Sequence, residues 1–229
     1  MSSLLTLSAT TISALEHAFD TPARNLKKSR GKNIHRFASA KMGKRITVES
    51  SLECDACYHF DFEPSIVRFC AQPIRLTYFI NGKCHTYVPD FLVQFDTHEF
   101  VLYEVKTDYA KNKSDFGFEW EAKVQAASDL GLDLELVGES DIRNKVILNN
   151  LKLMHRYASR DGLNNIQKTL LSILKQNGSL SAKSLGEYLG IKGRTILPIL
   201  CDLLSRCLLE THLDQPLSLE SQFELGSYA

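Results

Sequence analysis

Pro89-Asp90-Phe91-Leu92-Val93, followed after a polar turn by Phe100-Val101-Leu102-Tyr103-Glu104-Val105-Lys106, is the stretch that decides the fold. Each half carries the apolar–polar alternation of a strand with one face buried. Asp96-Thr97-His98-Glu99 between them is polar enough to connect a hairpin. Asp90 then falls near the start of the first strand, and Glu104 and Lys106 near the end of the second. Side chains two apart on a strand share a face, so Glu104 and Lys106 project the same way. Two carboxylates and an ammonium can therefore converge at one end of a small sheet.

That trio suits phosphodiester hydrolysis. Paired carboxylates offer hard oxygen ligands to a magnesium ion that keeps some of its waters and binds phosphate. Such an ion polarises a phosphoryl oxygen and lowers the pKa of its water, and a second ion would steady the leaving oxygen. A neighbouring lysine can orient the water or stabilise charge on phosphate. Asp90 and Glu104 are the expected metal ligands, with the Val105 backbone carbonyl as a third donor. The plainer reading makes Glu104 and Lys106 a solvated pair on an ordinary strand, and short patterns do recur by chance. Asp90, upstream on a strand of its own, favours the site.

The pattern resembles the PD-(D/E)xK nuclease superfamily, with Pro89-Asp90 and Glu104-Val105-Lys106 in the motif positions. The resemblance implies an α/β fold: a restriction-endonuclease-like mixed sheet flanked by helices, using Mg2+, with Mn2+ as a substitute. A further acidic residue often comes from a preceding helix. Val48, Leu52, Ala56 and Phe60 recur every four residues, giving one apolar helical face, while Glu49 and Glu53 share another. Ser50 and Glu53 also fit a capping box at a helix start, a purely structural role.

The resemblance narrows further. Glu49-Ser50-Ser51-Leu52-Glu53, Phe60-Asp61-Phe62-Glu63-Pro64, Gln72-Pro73, Pro89-Asp90-Phe91 and Glu104-Val105-Lys106 occur in the order seen in the TnsA family, the endonuclease subunits of Tn7-like heteromeric transposases. Arg30-Gly31-Lys32-Asn33 through Lys41-Met42-Gly43-Lys44 is similar to the short members from CRISPR-associated transposons. By position, the resemblance implies Glu53, Asp90, Glu104 and Lys106 as the catalytic set. Some members have glutamine where this chain has Glu104; a carboxylate is the better magnesium ligand. It also implies a division of labour on double-stranded transposon-end DNA. This subunit would cut the 5′ ends, a TnsB-like DDE transposase would cut and join the 3′ ends, and a TnsC-like AAA+ ATPase regulator would contact the C-terminal part. The implied setting is the bacterial cytoplasm, at the nucleoid.

The 229 residues suffice for one medium and one small domain, with ordinary apolar (44%) and charged (24%) fractions. No apolar run reaches the length of a membrane span, and the first residues lack a secretory pattern, so a reducing compartment and no membrane partner are expected. Cys54-Asp55-Ala56-Cys57 has the spacing of half a zinc site, which Cys70 or Cys84 would have to complete. No second close pair follows and the first lies in the Glu53 helix, so buried free thiols are the expectation.

Net charge is zero, with 27 basic and 27 acidic residues, but its distribution is uneven. Between Thr21 and Val48 no acidic residue occurs, while Arg24, Lys27, Lys28, Arg30, Lys32, Arg36, Lys41, Lys44 and Arg45 are basic. Residues 1–45 are therefore expected to form a basic arm that contacts DNA phosphates without reading sequence. A solubilising tail is the alternative. Lys111 and Lys113, in the polar loop after Lys106, are placed where DNA would pass.

Residues 46–145 are expected to be the nuclease domain. Within it, Ile74 to Val88 reads as a hairpin with an Asn81-Gly82 turn, Glu119 to Leu130 as a helix, and Asp133 to Val137 as a strand. Residues 146–229 read as a winged-helix-like α domain: helices over Ile166–Gln176, Ser181–Leu189 and Arg194–Cys207, then a small hairpin. The third helix carries few polar side chains and has Pro198 inside, which favours a protein partner over base readout. Three functions compete: a nuclease subunit, a non-catalytic winged-helix DNA-binding adaptor on a nuclease-like scaffold, and an autonomous restriction-type enzyme. The clustered carboxylates oppose the second, and the lack of a sequence-reading module opposes the third.

Overall fold

The structure, a computed structural model, describes residues 7–24, 26, 33–112 and 116–227. The chain divides into two compact units, Met1–Ile142 and Arg143–Ala229. In the first unit the order is α1 (Ala9–Ala18), β1 (His35–Ala38), β2 (Arg45–Val48), α2 (Ser51–Phe62), β3 (Ile66–Ala71), β4 (Leu76–Ile80), β5 (Lys83–Tyr87), β6 (Phe91–Phe95), β7 (Phe100–Lys106), α3 (Asp108–Lys111), α4 (Phe116–Ser128), β8 (Asp133–Gly138) and α5 (Glu139–Ile142).

The main sheet has the strand order β3-β6-β7-β8. β6 runs antiparallel to both β3 and β7, whereas β7 and β8 are parallel. Parallel neighbours need a crossover, and α3 and α4 supply it. The alternation expected for β6 is not how it is buried: Phe91, Leu92 and Val93 are each 0% exposed. The sheet is covered on both faces, which removes the need for a polar side. Phe91 and Val93 pack with Leu52, Ala56 and Phe60 of α2. Leu92 and Leu102 face the other way, against Leu15 of α1 and Ala127 of α4. Each fully buried side chain of this size contributes roughly 1.5–3 kcal/mol of transfer free energy. The unit is a mixed sheet flanked by helices, consistent with a restriction-endonuclease-like fold.

Much of the stretch expected to be a bare basic arm is built into this unit. β1 and β2 form an antiparallel hairpin whose Phe37, Ile46 and Val48 are buried in the α2 core. Three apolar residues spaced among cations are enough, because alternation puts them all on one face. α1 likewise buries Leu15 and Ala18, followed by Phe19, on the opposite core. The turn joining β1 to β2 is tied to α2 by the buried Asp61, which accepts from the Ser39 hydroxyl and from the backbone N–H of Ala40 (3.0 Å) and Lys41 (3.1 Å).

β4 and β5 form the expected tight hairpin, with Asn81 at φ 50° and Gly82 at φ 73°. Both central residues are left-handed, the geometry that matches strand twist and for which Asn-Gly is favoured.

The second unit runs α6 (Lys145–Tyr157), α7 (Asn165–Asn177), β9 (Leu180–Ser181), α8 (Ala182–Leu189), a 3₁₀ turn (Gly193–Ile196), α9 (Leu197–Ser205), β10 (Leu209–Glu210) and β11 (Gln222–Leu225). The three short strands pair antiparallel in the order β10-β11-β9. Its core includes Leu170, Leu174, Leu185, Leu200 and Phe223, all at most 2% exposed. A continuous helix over Arg194–Cys207 is not what forms: the α-helix starts at Leu197 and Pro198 occupies its first turn. Proline lacks the N–H that an interior position would need, so the backbone turns through 3₁₀ geometry before it. Asp202, buried on α9, accepts from Ser159 N (2.7 Å), Gln167 Nε2 (2.5 Å) and Arg206 Nε (3.0 Å). No helix among the described residues is long and apolar enough to cross a membrane.

Candidate active site

The register of β6 and β7 brings the motif together. Phe91 pairs with Tyr103 and Leu92 with Leu102, so one step further along the ladder Asp90 stands level with Glu104. Pro89 and Asp90 precede the strand, where proline suits the last unpaired position. The Asp90 carboxylate is fastened at once: Oδ2 accepts from the Val105 backbone N–H at 2.9 Å. Its main chain is fastened too, because the Asp90 carbonyl accepts from Gln72 N at 2.9 Å. Gln72 sits at φ 55°, a left-handed conformation uncommon for a residue with a side chain. The Gln72-Pro73 kink thus brings the end of β3 against the backbone of Asp90.

Glu104 is 3% exposed at the end of β7, with both oxygens engaged. Oε1 pairs with Lys106 Nζ, and Oε2 accepts the hydroxyl of Tyr87. Tyr87 is absent from the sequence-derived set. It ends β5, the strand that runs into Pro89, and reaches Glu104 only because the β4–β5 hairpin folds over that edge. No spacing rule marks it.

Glu53 belongs to the first turn of α2 and is 7% exposed. Only half of the expected capping box forms: its N–H donates to Ser50 Oγ at 3.0 Å, while its Oε1 accepts from that hydroxyl at 2.7 Å and its Oε2 from Glu49 N, one residue before the N-cap, at 2.9 Å. The cap holds the carboxylate where it feels the charges of Lys106 and Glu104. Glu49 is ion-paired with Arg24.

The ionisable groups of the site act on one another. Burial raises the pKa of Asp90 well above the ordinary aspartate value, and Glu104 and then Glu53 raise it further, against the pull of Lys106 and the Val105 N–H. Burial also raises that of Glu53, while Ser50 and Lys106 lower it. For Lys106, burial would lower the pKa, but Glu104, followed by Asp90 and Glu53, more than offsets it and the net direction is up. Burial, then Glu104, keeps the Tyr87 phenol protonated. Three carboxylates share one ammonium, an excess of negative charge that a divalent cation would relieve.

The donor chemistry fits a hard cation: two carboxylates at one level of the sheet, with a backbone carbonyl between Glu104 and Lys106. Among the described residues no three histidine, cysteine or acidic side chains stand ready as a cage. Magnesium is characteristically held by only one or two carboxylates, with waters and substrate phosphate completing its shell. Of the six cysteines, Cys57, Cys70 and Cys201 are buried and Cys84 is exposed on β5. Burial raises the Cys57 thiol and pushes that of Cys70 up to about 12.

The basic residues separate by environment. Lys27, Lys28, Arg30, Lys32 and Lys113 lie outside the described residues. Arg36 and Arg45 are exposed, opposite Thr47 and Ala38, on the outer face of the β1–β2 hairpin. Lys41 Nζ donates to the carbonyls of Glu63 and Ile66, each at 2.6 Å, and Lys44 Nζ to that of Phe19. These two ammonium groups stitch the hairpin to the rest of the unit. Lys111 pairs with Asp108 at 3.2 Å, and its amine lies where a Cβ at position 138 would stand, which glycine leaves open.

Residues 63–139 match the family described as TnsA-like endonuclease N terminal. The match runs from the end of α2 into α5 and includes Tyr87, Asp90, Glu104 and Lys106; Glu53 lies before it. No curated protein matches the chain.

Proposed function

We propose that this chain, whose residues 63–139 match the TnsA-like endonuclease N-terminal family, is the metal-dependent subunit that cuts the 5′ ends of a Tn7-like transposon. The observation that carries the reading is the clasp at the end of the sheet. Asp90 is held on the Val105 N–H, level with a buried Glu104 that is paired to Lys106. A scaffold that only bound DNA would gain nothing from burying carboxylates beside phosphate.

Asp90 and Glu104 would hold Mg2+, with the Val105 carbonyl as a further donor and Mn2+ as a substitute. When bound, the ion supplies Lewis acidity at the phosphoryl oxygen and a water of lowered pKa. Asp90 needs no rearrangement for this role, since its second oxygen is not the one on Val105 N. Glu104 would release Lys106 from Oε1, and the freed ammonium would hold the attacking water or a non-bridging phosphate oxygen. Glu104, then Asp90, and after them Glu53 keep the lysine protonated against the effect of burial.

The reading extends to partners on the family's logic. A DDE transposase would process the 3′ ends, and an AAA+ regulator would dock on the second unit, whose helix–strand–helix–helix–strand–strand order from α7 onward supports a winged-helix-like module. Arg24, Arg36, Arg45 and the basic residues around them would contact the phosphates of double-stranded transposon-end DNA, in a bacterial cytoplasm. The test is end-specific cleavage in Mg2+ with the partner transposase present. Asp90→Asn keeps an acceptor for the Val105 N–H but lowers 5′-strand cutting at least 100-fold, on the scale of lost metal ligation, while co-purification with the transposase persists. Wild-type cutting rates in this variant would refute the proposal.

A further inference from the structure

One side chain at the site has a geometry that the motif does not explain. Tyr87 donates its hydroxyl to Glu104 Oε2, the oxygen that Lys106 does not hold. The two partners differ in how firmly they are placed. Lys106 is a flexible chain that can swing its ammonium away. Tyr87 is held among neighbours: Lys123 Nζ lies 4.4 Å from its ring centroid, and Lys123 is paired with Glu119 at 2.6 Å. Glu119 in turn accepts from the Tyr78 hydroxyl at 3.2 Å, so the β4–β5 hairpin and α4 grip each other around the phenol. A buried carboxylate with one oxygen on a fixed donor has a single orientation, and its other oxygen becomes the exchangeable one.

We infer that Tyr87 is a positioning residue of the cation site: its hydroxyl fixes Glu104 by Oε2 and leaves Oε1 as the oxygen that exchanges an ammonium for a divalent cation. The inference rests on the nuclease reading above. It assigns to the β4–β5 hairpin a role in metal affinity, although that hairpin supplies no ligand.

The test is binding of Mn2+ to the full chain without DNA, read from the loss of the free-ion electron paramagnetic resonance signal. The wild type, Asp90→Asn and Tyr87→Phe are compared. Phenylalanine keeps the ring under Lys123 and removes only the hydroxyl. The expected result is Mn2+ binding by the wild type that Asp90→Asn abolishes and Tyr87→Phe weakens about tenfold or more, with an unchanged circular dichroism spectrum. In cleavage, the Mg2+ concentration for half-maximal rate rises by a similar factor while KM for DNA is unchanged. Tyr87→Met carries the same expectation if phenylalanine disturbs the fold. Equal Mn2+ affinity in the wild type and the Tyr87 variants, with Asp90→Asn still defective, overturns the positioning role alone. Absence of Asp90-dependent binding in the wild type overturns the nuclease reading with it.

Discussion

In the proposed site Glu53 would serve structure and chemistry together. Its hydrogen bonds to Ser50 and Glu49 close the start of α2, and its charge acts on Lys106. The two roles separate by substitution. Glutamine can accept from the Glu49 N–H and donate to the Ser50 hydroxyl but carries no charge. Glu53→Gln therefore leaves thermal stability close to wild type and lowers cleavage, whereas Glu53→Ala also costs about 1 kcal/mol of unfolding free energy through the lost hydrogen bonds. Calorimetric unfolding beside a cleavage assay checks both; a Gln variant with full activity would reduce Glu53 to a cap. The residue scale also marks where sequence reading ends. Asp90, Glu104 and Lys106 are legible because strand period and a short turn place them by local rules. Tyr87 is not, since its contact depends on how a separate hairpin packs. The left-handed φ of Gln72 is equally hidden, as glutamine carries no signal for it.

At the scale of elements, α2 is the brace of the first unit. One end caps on Glu53, the middle packs Leu52, Ala56 and Phe60 on the sheet, and His59 Nε2 lies 2.8 Å from the Ile142 carbonyl of α5. The apolar spacing of α2 was readable from its sequence. The β1–β2 hairpin was not: its strands are four residues each and lie among cations, so composition outweighed the alternation of Phe37, Ile46 and Val48. Burial lowers the His59 pKa below 6.5, only partly opposed by the Ile142 carbonyl and Asp55. The unfolded chain thus binds a proton more readily than the folded one, and the neutral imidazole's contribution is lost as pH falls through about 6.5. Raised carboxylates such as Asp90 act in the opposite sense, losing their contribution as pH rises, so a comparison is needed to isolate the histidine. We expect the stability of wild type relative to His59→Gln to decline between about pH 7.5 and 5.5 in denaturant titrations. A constant difference would show that His59 titrates normally.

For the molecule as a whole, charge is divided between a site rich in carboxylate and a lead-in rich in cations, although the total is zero. The division suits an enzyme that holds a divalent ion at one place and a polyanion around it. Every candidate ligand lies in the first unit, and the second carries a small apolar core with none of them. All of this depends on Asp90 and Glu104 holding a single cation. The most direct measurement is an anomalous difference map from crystals of the protein soaked in Mn2+. The account predicts a peak within about 2.0–2.4 Å of a carboxylate oxygen from both Asp90 and Glu104, with Lys106 displaced from Glu104. A map with no peak there, or with manganese on one carboxylate while the other stays on its lysine, would contradict it.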